Sequence, residues 1–173
     1  MKFHYKELDI TTVRQGLLLQ VCNTEGVMGS GVAAALKQAF PGIDMSYSQL
    51  CRQGSNKFIN PKEKFEYLLG RVDFFKAKDG LWVGNMIAQT LEPIQRRVRY
   101  DAVVKCLERV NEFLMQQQAT VGNIPVFAPL MGAGLAGGRW EVMESLIHSY
   151  LNVPEITICV LPGTMIPEQG HRD

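Results

Sequence analysis

The chain has 173 residues, 46% of them apolar and 20% charged, with a formal net charge of +1. That length fits one domain over residues 1–173, with its core in about 3–161 and a tail from 162, and so even a charge leaves no global field for nucleic acid or an anionic membrane. No apolar run reaches the roughly 20 residues that cross a bilayer, and the opening MKFHYKELD lacks the apolar segment of a signal peptide.

Phe3–Leu8 is predicted as a short strand, followed by Asp9-Ile10-Thr11. Gly16–Cys22 (GLLLQVC) is a near-continuous apolar run, which suits a strand covered on both faces. A glycine-bearing loop follows, then a helix with Val32, Leu36 and Phe40 on one face and Pro41-Gly42 as its stop. Asp44–Gln53 is predicted as a helix capped by Asp44, and the polar Gly54–Pro61 as a loop. The aromatic-rich Phe65–Lys76 reads as a strand, paired across Lys78-Asp79-Gly80 with a second strand, Leu81–Ala88. Leu91–Arg97 is a connection. Tyr100–Gln118 is a helix with a Val103, Leu107, Val110, Leu114 stripe. Ile124–Pro129 is a short strand that ends in a second glycine loop, Met131–Gly138. Trp140–Leu151 is a helix with Trp140, Met143, Ile147 and Tyr150 inward, and Ile156–Leu161 is the last strand. This alternation, with a hairpin in the middle, predicts an α/β fold, a three-layer α/β/α sandwich with a mixed central sheet.

Cys22, Cys51, Cys106 and Cys159 stand far apart, mostly in apolar segments, and read as reduced, buried thiols of a cytoplasmic protein. His4, His148 and His171 are scattered, so no metal site is expected. Arg96, Arg97 and Arg99 form the one tight basic cluster. It reads either as a solvated helix start or as a phosphate contact.

The most informative stretch is Gln20–Phe40, where an apolar strand runs through Gly26, Gly29 and Gly31 into a helix whose first turn is Val32, Ala33, Ala34 and Ala35. Glycines there let a ligand approach the backbone, and the helix start offers unpaired N–H groups and a positive dipole end to a phosphate. A plain tight turn is the alternative. A dinucleotide fingerprint also matches Gly29-Ser30-Gly31-Val32-Ala33-Ala34 as G-x-G-x-x-A. It needs its first glycine directly after the strand, however, and Asn23–Met28 intervenes. A P-loop fails for want of a Lys-Ser/Thr pair. The second loop makes a second strand–glycine–helix junction. Two such loops meeting at the carboxyl ends of strands would hold a diphosphate between them.

Taken together, Asp9-Ile10-Thr11, the Asn23-Thr24-x-Gly26-x-Met28-Gly29-x-Gly31 loop, Asn85-Met86-Ile87-Ala88-Gln89, Arg99-Tyr100-Asp101-Ala102 and Gly132-Ala133-Gly134-Leu135-Ala136-Gly137-Gly138-Arg139-Trp140 resemble a macro domain, over roughly residues 3–161. The NMIAQ and GLAGG-x-W stretches look most like the branch that processes ADP-ribose 1''-phosphate. The resemblance implies an ADP-ribose cleft with no cofactor and no metal. Asp9 matches the acid that reads the adenine amine, with Ile10 beside it, and a capping role is the alternative for Asp9. Asn23 and Thr24 match the loop facing the distal ribose, and a turn role is the alternative for Asn23. Val27, Met28, Gly29, Ser30, Gly31 and Val32 match the first phosphate loop. Met131, Gly132, Ala133, Gly134, Leu135 and Ala136 match the second. The lysine used by nucleobase- and glutamate-releasing members falls on Gln89-Thr90, and the acid in their second loop on Ala136. No general base is assigned. Glu25, the one titratable side chain in the first loop, is read as facing solvent. The resemblance thus implies hydrolysis of ADP-ribose 1''-phosphate, with a non-catalytic reader or an ADP-ribosyl-protein ester hydrolase as the alternatives.

Overall fold

The architecture is built around the apolar run at 16–23, in which Leu17, Leu18 and Leu19 are all fully buried. Successive strand residues face opposite ways, so full burial of three in a row requires cover on both faces. A computed structural model describes residues 1–29, 31–91, 97–132 and 137–166. In chain order the elements are β1 (Lys2–Glu7), a 3-10 turn (Ile10–Thr12), β2 (Gly16–Asn23), α1 (Gly31–Ala39), α2 (Ile43–Lys57), α3 (Pro61–Leu68), β3 (Val72–Lys78), β4 (Leu81–Gln89), α4 (Tyr100–Val121), β5 (Val126–Pro129), α5 (Trp140–Tyr150) and β6 (Glu155–Val160).

The six strands form one sheet in the order β1-β6-β5-β2-β4-β3. All neighbours run parallel except the β3–β4 hairpin, so the sheet is mixed as expected. Leu17 and Leu19 face a cluster that includes Val103, Leu107 and Val110 of α4 and Met143 and Ile147 of α5. Leu18 faces the other cluster, with Leu36 of α1, Ile43 and Tyr47 of α2 and Leu68 of α3. Each such buried leucine contributes roughly 1.5–3 kcal/mol, and their alternation makes three layers out of one strand.

Four sequence expectations need correction. Residues 65–76 are not one strand: Pro61–Leu68 is helical and β3 starts at Val72. The helix start was written in Asn60-Pro61, since the Asn60 side chain accepts from the Lys62 N–H at 2.9 Å and proline takes the first helical position. The aromatic content of 65–75 overrode that signal, because Phe65 and Tyr67 serve a helix while Phe74 stacks on Phe113 at 4.1 Å. Asp44 is not a cap. Gly42 holds that position, with φ at 98°, and Asp44 sits in the first turn, 3.4 Å from Lys37. α2 also continues through Gly54 to Lys57 rather than ending at Gln53. Gly54 is required there because a Cβ would lie 2.9 Å from Leu68 Cγ, so the glycine marks helix packing and not a loop. Finally, Tyr150 is 42% exposed and Leu151 takes the inward position, as the spacing from Trp140, Met143 and Ile147 requires.

All four cysteines are free and buried, as expected. Burial pushes the Cys51 and Cys106 thiols up to about 12 and Cys159 up to about 11, so none is a ready nucleophile. No helix among the described residues is long and apolar enough to cross a membrane.

Candidate functional site

β2 and β5 are parallel neighbours, with Leu17 opposite Val126 and Leu18 opposite Phe127. The chain leaves β2 toward α1 in one helical layer and leaves β5 toward α5 in the other. Adjacent parallel strands whose connections diverge in this way open a crevice at their carboxyl ends. The two glycine loops therefore flank one crevice, although about a hundred residues separate them. β1, which ends just before Asp9, lies three strand spacings from β2, roughly 14 Å.

Asp9 caps the 3-10 turn. Its Oδ1 accepts from the Thr11 N–H at 3.0 Å and the Thr11 hydroxyl at 2.7 Å. These bonds hold its carboxyl below the usual carboxylate range. Its side chain is exposed and Oδ2 makes no hydrogen bond to a described residue. The capping role and the adenine-reading role thus fall on different oxygens of one carboxylate. Ile10 is buried in the core cluster on the α1–α2 side of the sheet, and its carbonyl accepts from the Val13 N–H at 3.3 Å.

In the first loop Asn23 organises the backbone. Its Oδ1 accepts from the N–H groups of Glu25 (2.9 Å) and Val27 (3.3 Å), and its Nδ2 donates to the Val27 carbonyl at 2.8 Å. The fully buried Tyr47 supports it from α2. The Tyr47 hydroxyl lies 2.6 Å from the Asn23 carbonyl and 2.8 Å from Oδ1. The turn role of Asn23 is therefore present in the structure, and one Nδ2 hydrogen remains for a ligand. Thr24 is buried and donates its N–H to the Gln89 carbonyl at 3.0 Å, which ties the loop to β4. Met28 is buried among α1 and α2 residues while Val27 is 53% exposed. The N–H groups of Met28 and Gly29 donate to no described residue. Gly31 opens α1 with φ at 59°, and Val32 follows it in the first turn. Unpaired amides beside a helix start form a ready anion site.

The second loop leaves β5 through buried Met131 and Gly132. It is closed by the Gly138 N–H donating to the Gly132 carbonyl at 2.8 Å. Four of the sequence-derived positions there, Ala133, Gly134, Leu135 and Ala136, lie outside the described residues, as does Ser30 of the first loop. Arg96 of the basic cluster also lies outside them. Arg97 is exposed, and Arg99 is half-buried with an Nε that makes no hydrogen bond to a described residue. Among the described residues no group of three or more His, Cys, Asp or Glu is placed to hold a metal ion.

One expectation about the site is corrected. Glu25 does not simply face solvent, because Lys64 Nζ of α3 lies 3.0 and 2.9 Å from its two carboxylate oxygens. Sequence reading missed Lys64 because the helix at 61–68 was not foreseen, with only a loop to Pro61 and a strand from Phe65 expected, and because the contact spans 39 residues. The pair stands at the head of an open groove of about 650 Å³, lined also by Phe58, Pro61, Phe65 and Leu91.

The chain is a three-layer α/β/α sandwich with two glycine-bearing loops leaving adjacent parallel strands, β2 and β5. No family model matches the chain. Curated relatives do. It is 28% identical over 158 residues to a DNA ADP-ribosyl transferase–DNA ADP-ribosyl glycohydrolase fusion protein of Thermosipho africanus, covering 88% of this chain and 39% of that protein, so the chain spans about two fifths of that relative's length. It is 27% identical over 145 residues to an ADP-ribose 1''-phosphate phosphatase of Candida albicans, covering 79% of this chain and 83% of the other. Among solved structures, a macrodomain protein from Streptomyces coelicolor superposes with a TM-score of 0.69 at 27% identity, over 91% of this chain and 98% of that one. The chain has the fold of a macro domain and resembles that family in sequence.

Asp9→Ala is expected to weaken ADP-ribose binding roughly ten- to a hundredfold, the loss of a hydrogen bond to a charged group. The inosine analogue should lose a comparable amount on the unaltered protein. Calorimetry with both decides, and unchanged affinity in both leaves Asp9 as a cap alone.

Proposed function

We propose that this macro domain binds ADP-ribose and hydrolyses a small ADP-ribose derivative, ADP-ribose 1''-phosphate foremost. The observation that carries the reading is the pair of glycine loops leaving adjacent strands at the β2–β5 switch point, with the Met28 and Gly29 amides donating to no described residue. The activities for which the Thermosipho and Candida relatives are named support ADP-ribose as the ligand and hydrolysis as the chemistry. Strand order supports one orientation of the ligand in this reading. Adenine lies at Asp9, the diphosphate between the loops, and the distal ribose at Asn23. The loop amides would stabilise charge developing on the phosphate side. Four buried free thiols suit a reducing compartment, and a cytoplasmic location is part of this proposal.

The test is a ligand series and a turnover assay. ADP-ribose is expected to bind well, AMP more weakly and ribose 5-phosphate poorly, because only the first spans both loops. Equal affinity for AMP and ADP-ribose in calorimetry rules out the two-loop site. Release of phosphate from ADP-ribose 1''-phosphate tests the chemistry. A second reading, a non-catalytic reader, is favoured by Gln89-Thr90 standing where nucleobase- and glutamate-releasing members place a lysine. It predicts tight binding with no turnover, on the phosphomonoester or on an ADP-ribosylated protein.

A further inference from the structure

We infer that Glu25 and Lys64 form the acid–base pair of this site, acting on the bond at the anomeric phosphate of the bound ADP-ribose derivative. The inference rests on the proposed orientation of the ligand. Across the carboxyl ends of the sheet the order is Asp9 after β1, then the second loop after β5, the first loop after β2, and the end of β4. A ligand with adenine at Asp9 and its diphosphate between the loops points its anomeric end beyond β2, toward β4. The groove lies there, with Glu25 of the first loop and Leu91 just past β4 among its lining. Glu25 follows Asn23 by two residues, and Asn23 holds the Glu25 N–H at 2.9 Å, so the loop that faces the distal ribose also aims the carboxylate.

The pair is more than a surface contact. The Lys64 side chain is only 14% exposed, and its ammonium spans both Glu25 oxygens. The Thr24 hydroxyl, buried beneath, donates to Glu25 Oε1 at 3.2 Å. Exposed ion pairs fix little, whereas a largely buried lysine joined to a carboxylate and a hydroxyl is a pre-set arrangement. The His4–Glu155 and Lys76–Asp79 pairs, by contrast, join neither glycine loop. Both groups line the open groove, so water reaches them and a leaving group has room to depart.

The step balances without a metal, redox partner or covalent intermediate. A water oxygen attacks the anomeric phosphorus while Glu25 takes its proton. The bond from phosphorus to the anomeric oxygen breaks and its electron pair stays on that oxygen. Lys64 protonates the oxygen. The proton on Glu25 then passes to the neutral Lys64 amine across their hydrogen bond, which restores the pair. ADP-ribose and phosphate leave.

The test compares three variants with the unaltered protein, reading turnover of ADP-ribose 1''-phosphate and calorimetric binding of ADP-ribose. Glu25→Gln keeps the shape but not the basicity, and is expected to lower kcat about 10²- to 10⁴-fold while ADP-ribose affinity stays within about twofold. Lys64→Met is expected to do the same. Lys64→Arg keeps the ion pair and the link from α3 to the loop, but a guanidinium does not give up its proton, so it should be as slow as Lys64→Met. Hydrolysis in 18O-water should place the label in phosphate. Rescue of kcat by Lys64→Arg would make the pair a positioning device and overturn the inference, as would normal turnover by Glu25→Gln. An unaltered protein that binds ADP-ribose without any turnover overturns both this inference and the proposed hydrolysis. Active variants beside an active parent overturn this inference alone.

Discussion

Gly31→Glu is expected to bind ADP-ribose at least tenfold more weakly than the unaltered protein while remaining folded. Gly31 opens α1 at the edge of the first loop, and a Cβ built there meets nothing within 4 Å. The side chain therefore has room in the free protein, and its cost there is conformational. At a φ of 59° a residue with a Cβ carries strain of about 1–2 kcal/mol. The binding cost is larger. A carboxylate about 4 Å from a phosphate at an effective dielectric near 20 is repelled by roughly 4 kcal/mol, several-hundred-fold in affinity before solvent and salt reduce it. Thermal melting without ligand and ADP-ribose titration separate the two effects. Gly31→Ala serves as the control, because it carries the strain without the charge. A folded Gly31→Glu protein with normal affinity would show that this loop is a turn and not a phosphate grip.

Gly138→Ala is expected to damage both stability and binding, for the opposite reason. A Cβ at 138 would sit 2.2 Å from the Gly132 carbonyl oxygen and 2.5 Å from Val98 Cγ1. The first contact is with backbone, which cannot rotate away. The same carbonyl receives the Gly138 N–H at 2.8 Å, so the methyl group pries open the bond that closes the second loop. Overpacking of this kind costs about 1–3 kcal/mol, and displacement of the loop should reduce ADP-ribose affinity roughly tenfold or more. Gly122→Ala is the reference. It has a φ of 80° and open space, so it bears strain without collision. Equal melting of Gly138→Ala and the unaltered protein, with equal affinity, would remove the closure of 132–138 from the account of the site.

The sequence by itself determined the elements whose pattern is local. Leu17–Leu19 announced a strand covered on both faces, the Val103–Leu114 stripe a packed helix, and the two glycine runs a pair of strand-to-helix junctions. Each follows from side-chain periodicity or from backbone freedom at a single residue, which neighbours in sequence are enough to specify. Competition between local signals was harder to read. The Asn60-Pro61 cap and the aromatic run behind it pointed to different states, and packing against α2 chose the helix, with Gly54 left bare to admit Leu68. What only the tertiary structure decided is neighbourhood. Strand order places β5 beside β2, so two distant loops share one crevice, and α3 returns over the first loop to lay Lys64 on Glu25 across 39 residues. Asn23 shows the same limit at short range, since its four hydrogen bonds depend on a loop shape that Tyr47 secures from α2. Such contacts depend on where the chain returns, which hydrophobic burial over the whole sheet settles and no local pattern encodes.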